Sequence, residues 1–132
     1  MITGAKVHMT KSQANIEDAD WVERLALVID EFRKINQDMT ANQMLVLLRI
    51  GERPGITQKE LSQLTQLPDG TVSRICALLS DRGHQTRRGL NAIRIHEVPG
   101  DYRVRGSTLF GNGQRLYASI RNLMTGGPIR GN

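Results

Sequence analysis

Trp21, Leu25, Val28, Phe32 and Ile35 follow one another at steps of four and three, the spacing of one face of an α-helix. The helix they predict begins near Ile16, with Asn15 as its N-cap. Glu17, Asp18 and Asp20 would then fill a first turn whose free N–H groups favour negative charge. Arg33 and Lys34 stand near the opposite end. Ahead of it, residues 1–15 are polar and aperiodic and read as a flexible arm.

A second apolar block, "QMLVLLRI", follows "TANQ". There Thr40 stands three residues before Gln43, the spacing at which cap and side chain satisfy each other's backbone N–H. This helix should stop before Gly51, and "ERPG" turns the chain. "TQKE" repeats the device with Thr57 and Glu60 and opens a short helix whose Leu61 and Leu64 face inward. After "TQLPDG" a fourth helix runs from about Asp69 to Arg82, with Val72, Ile75, Cys76 and Leu79 as its buried stripe. Gly83 is placed to end it.

Two extended runs come next, "LNAIRIHEV" and "YRVRGSTLF", joined through Pro99-Gly100-Asp101, a hairpin signal. Gly113 precedes a last amphipathic helix, residues 113–124, with Leu116, Ile120 and Leu123 inward. Residues 126–132 read as a flexible tail. The chain is therefore expected to be mainly α with a small β-hairpin, one domain over residues 16–125. Its 132 residues can fold around one modest core without disulfide staples.

Charge changes this picture from architecture to partner. The net charge is +5, but residues 1–38 carry −2 and residues 39–132 carry +7. From Tyr102 onward there are five arginines and no acid. Such a division separates an anion-facing half from a half with other work. Single Cys76 cannot form an internal bridge, and neither a signal sequence nor an apolar run of membrane length is present. A reducing, cytoplasmic setting follows as the expectation. His8, His84, His96 and Cys76 lack metal-ligand spacing, Cys76 falls on a buried stripe, and "GNG" has no following lysine. No enzyme, cofactor or metal is expected.

Residues 57–82 form two helices about a tight turn, a helix-turn-helix arrangement. The second helix of that motif enters the DNA major groove, and needs a slim polar outer face on an apolar back. Asp69, Thr71, Ser73 and Arg74 supply the face, with Thr57 and Gln58 at the start of the preceding helix. Ser73 can donate to a base or a phosphate, and Arg74 can fork onto guanine or clamp a phosphate. A solvated helical hairpin would look much the same, so the following hairpin carries the distinction. Residues 86–106 hold five arginines against two acids. Arg103 and Arg105 are two apart and should share a face, with Arg94 as neighbour across the hairpin and Arg87 and Arg88 at its base. A row of guanidiniums repels itself unless an anion relieves it, and a narrow minor groove does so. Residues 86–110 thus read as the wing of a winged helix-turn-helix.

The strings "TANQMLVLLRI", "TQKELSQLTQLPDGTVSRICALLSDRG" and "DYRVRGSTLFGNG" stand in an order and spacing that resemble the MarR family of bacterial transcriptional regulators, over residues 40–123. That family's wing carries Asp-x-Arg, and Leu-Thr-x-x-Gly opens its next helix. Here the positions are Asp101, Arg103, Leu109 and Gly113, with Phe110 in place of Thr, and Ser73-Arg74 matches a Thr-Arg or Ser-Arg pair. The resemblance implies a bacterial or phage DNA-binding regulator. Ser73 and Arg74 would lie in the major groove and Arg103 in the minor, with Asp101 orienting the arginine. It implies repression, and a homodimer built on residues 16–36 and the last helix, through Trp21, Leu25, Val28, Phe32, Leu116 and Ile120. A small-molecule effector is compatible with it, though no residue supports one. Two features depart from the family: a longer segment between Gly83 and Asp101, and a last helix ending near Met124. Two other roles share these features, a DNA-bound accessory in replication, recombination or partition, and a winged helix whose arginines meet an acidic protein.

Overall fold

Two threonines begin two of the helices in the same way. Thr40 Oγ1 accepts the Gln43 backbone N–H at 3.2 Å while Gln43 Oε1 accepts that of Thr40 at 3.0 Å. Thr57 and Glu60 repeat the exchange at 3.1 and 2.9 Å. Both capping boxes are those read from the sequence. The computed structural model describes residues 11–83 and 88–129. In chain order the elements are α1 Lys11–Ile35, α2 Ala41–Glu52, β1 Ile56–Thr57, α3 Gln58–Thr65, α4 Asp69–Leu79, β2 Ile93–Val98, β3 Asp101–Leu109 and α5 Asn112–Met124.

Several boundaries differ from those expected. Helix α1 starts at Lys11, so Asn15 lies inside it instead of capping it, and the expected arm over residues 1–15 is corrected for 11–15. "KSQAN" contains no Gly or Pro and has good helix formers, which carry the helix beyond its first apolar position. Residues 1–10 lie outside the described residues. Helix α2 runs through Gly51 to Glu52, and Gly51 packs against the Tyr117 ring, which a Cβ there would strike. The glycine is there for helix packing and does not end the helix. Helix α4 stops at Leu79, short of Arg82. The Ser80 hydroxyl donates to the Ala77 carbonyl at 2.8 Å and accepts the Arg82 N–H at 3.1 Å. It thereby offers the backbone an alternative to another helical turn.

The sheet has the order β1-β3-β2, all antiparallel. Strand β1 pairs Ile56 with Ser107 and Thr57 with Gly106, which ties the start of α3 to the hairpin. A Cβ at Gly106 would meet the Gly55 carbonyl at 2.8 Å and the His96 ring at 2.9 Å, so glycine lets three strands meet there. Gly100, at φ 90°, makes the turn between β2 and β3.

One core joins these elements. Val28 and Phe32 of α1 meet Val46, Leu47 and Ile50 of α2, Leu61 of α3 and Val72, Ile75, Cys76 and Leu79 of α4. Ile93 of β2 and Leu116, Ile120 and Leu123 of α5 complete it. Arg24 fastens α1 to the end of α5. Its Nε lies 2.7 Å from Asp20, and Nη1 donates to the Leu123 and Gly127 carbonyls at 2.7 and 2.8 Å. A guanidinium suits the unpaired carbonyls at a helix C-terminus. Gly127 also donates to the Asn122 carbonyl at 2.8 Å, and Ile129 packs on the core. The expected flexible tail is therefore corrected for residues 126–129, while 130–132 lie outside the described residues.

Candidate nucleic-acid interface

The turn between α3 and α4 is made by Gln66 in the left-handed conformation, φ 63°, and by Leu67 and Pro68. The Ser62 hydroxyl donates to the Leu67 carbonyl and closes it. Helix α4 then buries Val72, Ile75, Cys76, Leu78 and Leu79. Its opposite face presents Asp69, Gly70, Ser73 and Arg74 to solvent, with Thr71 half-buried beside them. Arg74 Nη2 donates to Thr71 Oγ1 at 3.3 Å, an exposed contact between two of the expected site residues. No side chain caps the α4 N-terminus, so its first N–H groups stay open to an acceptor. No bulky apolar side chain stands on this face, as entry into a groove requires.

Thr57 and Gln58 are half-buried at the joint of β1 and α3. Thr57 is occupied by its capping box and by pairing with Gly106. Hydrogen bonds from Thr57 to the carboxylate, the backbone one foremost, hold the Glu60 pKa below its ordinary 4.5. In the core, burial pushes the Cys76 thiol up to about 11, with the Ser107 hydroxyl acting the other way. A thiol so placed is inert filler, as the stripe Val72, Ile75, Cys76, Leu79 implies.

The wing separates the arginines that the sequence had grouped. From Ile93↔Leu109 to Glu97↔Arg105 the two strands pair regularly, and the next pair is Val98↔Asp101. Three residues of β3, Tyr102, Arg103 and Val104, thus stand opposite the single step from Glu97 to Val98. Arg105 faces Glu97, their charged atoms 3.5 Å apart. Arg103 is exposed, and Asp101 Oδ1 accepts its backbone N–H at 3.1 Å and lies 3.5 Å from its Nε.

Arg94 is opposite Thr108. It is three positions along β2 from Glu97, so it lies on the other face of the ribbon from the Glu97–Arg105 pair. The expected grouping of Arg94 with Arg103 and Arg105 is corrected: register, which spacing alone does not give, sets the face. The Arg94 guanidinium instead sits over the Phe110 ring, 4.1 Å from its centroid, a cation–π contact. With Asp81, Arg82, Asn91 and Phe110 it lines a notch of about 280 Å³ at the base of the wing. Arg82 belongs to this basic corner and was missed in the sequence, where only its place in "SDRGHQTRR" signals it. Arg88 is exposed, and Arg87 lies outside the described residues.

The expected dimer contacts divide in two. Val28, Phe32, Leu116 and Ile120 are at most 8% exposed within this single chain. They are corrected from partner contacts to core residues. Trp21 and Leu25 are 59% and 47% exposed, joined by Val22 and Ile29 on α1 and by Met124 at the end of α5. Among the described residues no three His, Cys, Asp or Glu side chains cluster as metal ligands. No described helix is long and apolar enough to cross a membrane.

The family model described as "MarR family" matches residues 37–88, from the entry to α2 through α4 and beyond. Solved structures share the fold over most of the chain. The crystal structure of MarR is 21% identical, covering 85% of this chain and 74% of that one at a TM-score of 0.55. RV1404 from Mycobacterium tuberculosis is 13% identical, covering 92% and 79% at 0.62. The S. aureus MepR–DNA complex is 16% identical, covering 87% and 84% at 0.59. No curated protein matches.

Proposed function

From a MarR-family sequence pattern on residues 37–88 of a MarR-like winged-helix fold, we propose that the protein binds double-stranded DNA sequence-specifically and regulates transcription. The observation that carries this reading is the pairing of two built surfaces: the slim polar face of α4, with Ser73 and Arg74, and a wing whose exposed Arg103 is tethered by Asp101. Helix α4 enters the major groove and reads base edges through Ser73 and Arg74. Arg103 enters the adjacent minor groove, while Arg94, Arg82 and Arg88 lie toward phosphates at the base of the wing. Asp69, Thr71 and Arg105 flank these contacts, and Thr57 and Gln58 approach the backbone from the joint of β1 and α3. That a chain of the same fold has been solved on DNA supports the arrangement. Repression is the direction that the MarR resemblance implies, and a cytoplasmic location follows from a DNA partner.

The acting species is a homodimer. The Trp21, Val22, Leu25 and Ile29 stripe is apolar and unoccupied by this chain's core. Pairing of two such stripes about a two-fold axis would cover them. A groove of about 540 Å³ between α2 and α5, lined by Gly51, Tyr117 and Arg121 among others, has room for a small-molecule effector.

The test is selection of duplexes from a random pool by the chain, followed by location of the selected sites in the source genome. Sites at promoters support regulation. Sites confined to replication origins or recombination junctions favour the accessory role, and no enrichment favours an acidic protein partner.

A further inference from the structure

We propose that Tyr102 is a DNA contact of the wing in its own right, its ring packing on a deoxyribose and its phenol hydroxyl donating to a phosphate at the edge of the groove that Arg103 enters. The inference rests on the DNA-binding reading and adds to it a residue that charge and motif leave out.

The chain has five aromatic residues, and four of them have an evident place. Phe32 is in the core, Tyr117 lies against Gly51, Phe110 lies under Arg94, and Trp21 belongs to the apolar stripe of α1. Tyr102 belongs to no such grouping. At 73% exposure it is the most exposed large apolar side chain among those described. A lone exposed apolar residue is ordinary on a protein surface, so exposure alone carries nothing.

The local backbone is the second observation. In a regular strand Tyr102 and Arg103 would point to opposite faces. The hairpin is irregular there, with Tyr102, Arg103 and Val104 opposite the single step from Glu97 to Val98. Such bulges bend a strand and re-aim its side chains. Here Tyr102 and Arg103 are both exposed while Val104 is half-buried. The third observation is the tether: Asp101, one residue before Tyr102, holds the Arg103 backbone N–H at 3.1 Å. A bond spanning Asp101 to Arg103 restrains the backbone on both sides of Tyr102, so its side chain leaves the strand from a set point next to Arg103 in the chain. Tyrosine hydroxyls are among the groups that bond DNA phosphates, and such contacts position the protein without reading sequence.

A neutral phenol and a guanidinium leave different signatures. A cationic side chain that neutralises a phosphate releases counterions and steepens the dependence of log affinity on log salt, by about 0.9 per phosphate on duplex DNA. A phenol contact adds affinity and leaves that slope unchanged. The experiment measures binding of wild type, Tyr102→Phe, Tyr102→Ala and Arg103→Ala to a duplex selected from a random pool by the wild-type chain, across a range of salt. A hydrogen bond to a charged group is worth about tenfold in affinity. Tyr102→Ala is therefore expected to weaken binding by about tenfold or more at every salt concentration with the wild-type slope, and Tyr102→Phe to fall between the two. Circular dichroism should show both variants folded, since the side chain is exposed. Tyr102 variants that bind as wild type overturn the inference. So does a flattened slope in Tyr102→Ala, which would mean that the tyrosine acts only by placing Arg103. A wild-type chain that selects no duplex overturns the DNA-binding reading itself.

Discussion

Asp101 holds Arg103 at two points, its Oδ1 accepting the Arg103 backbone N–H at 3.1 Å and lying 3.5 Å from Nε. The Arg103 side chain is 83% exposed, and exposed ion pairs contribute about 0–1 kcal/mol to stability. The pair is thus poorly suited to holding the wing together. Its effect is to limit the freedom of an arginine before binding, where each immobilised flexible side chain costs about 0.5–1.5 kcal/mol.

Asp101→Ala should therefore weaken DNA binding by about that amount with an unchanged thermal midpoint. In an Arg103→Ala background the same substitution should cost less, because no guanidinium remains to orient and only the backbone tether beside Tyr102 is lost. Additive effects of the two substitutions in a double-mutant cycle would contradict the positioning role.

Arg74 is exposed on the outer face of α4 beside Thr71. Arg74→Ala should cost about 1–3 kcal/mol on the preferred site and relax preference at one base position. Selection with the variant, compared with wild type, reads this directly. A uniform loss across sequences would assign Arg74 to a phosphate.

The capping box at α3 gives a stability prediction with a pH signature. Thr57→Ala should destabilise the fold by about 1 kcal/mol in urea denaturation. Glu60, whose pKa lies below 4.5 in the folded chain, binds a proton more readily when unfolded. Its contribution is fully present above pH 4.5 and is lost as pH falls through the lower folded value. Glu60→Gln keeps the cap and removes the titration, so the difference between wild type and variant should change only below about pH 4.5.

On α1, exposed and buried apolar residues should behave oppositely. Trp21→Asp should turn a dimer into a folded monomer by light scattering. Phe32→Ala should cost about 3–5 kcal/mol of folding stability, because Phe32 is a core residue. A Trp21→Asp chain that remains dimeric would move the interface away from this stripe.

What the sequence made legible was local. The Thr40 and Thr57 boxes, the Val72–Leu79 stripe and the Pro99-Gly100 turn are each decided within a few residues, and the structure places them as read. What it hid depends on distant partners. Ile56 and Thr57 are a strand only because Ser107 and Gly106 lie beside them. Arg94 faces away from Arg105 because of a pairing register fixed by the whole hairpin. Residues 126–129 are held by Arg24, about a hundred positions earlier. The apolar arc of α1 is wide enough to serve two neighbours, and its period cannot say that Val28 and Phe32 meet this chain's core while Trp21 and Leu25 stay outside. For the candidate site, residue types and order were readable on α4 and at Asp101-x-Arg103. The grouping of the arginines was not.

The most direct test of the central claim is a salt titration of duplex binding by wild type and Arg103→Ala. If the wing and α4 dock on DNA, log affinity falls linearly with log salt, and Arg103→Ala lowers affinity and flattens the slope by about 0.9. Binding that ignores salt, or a variant with the wild-type affinity and slope, would contradict the account.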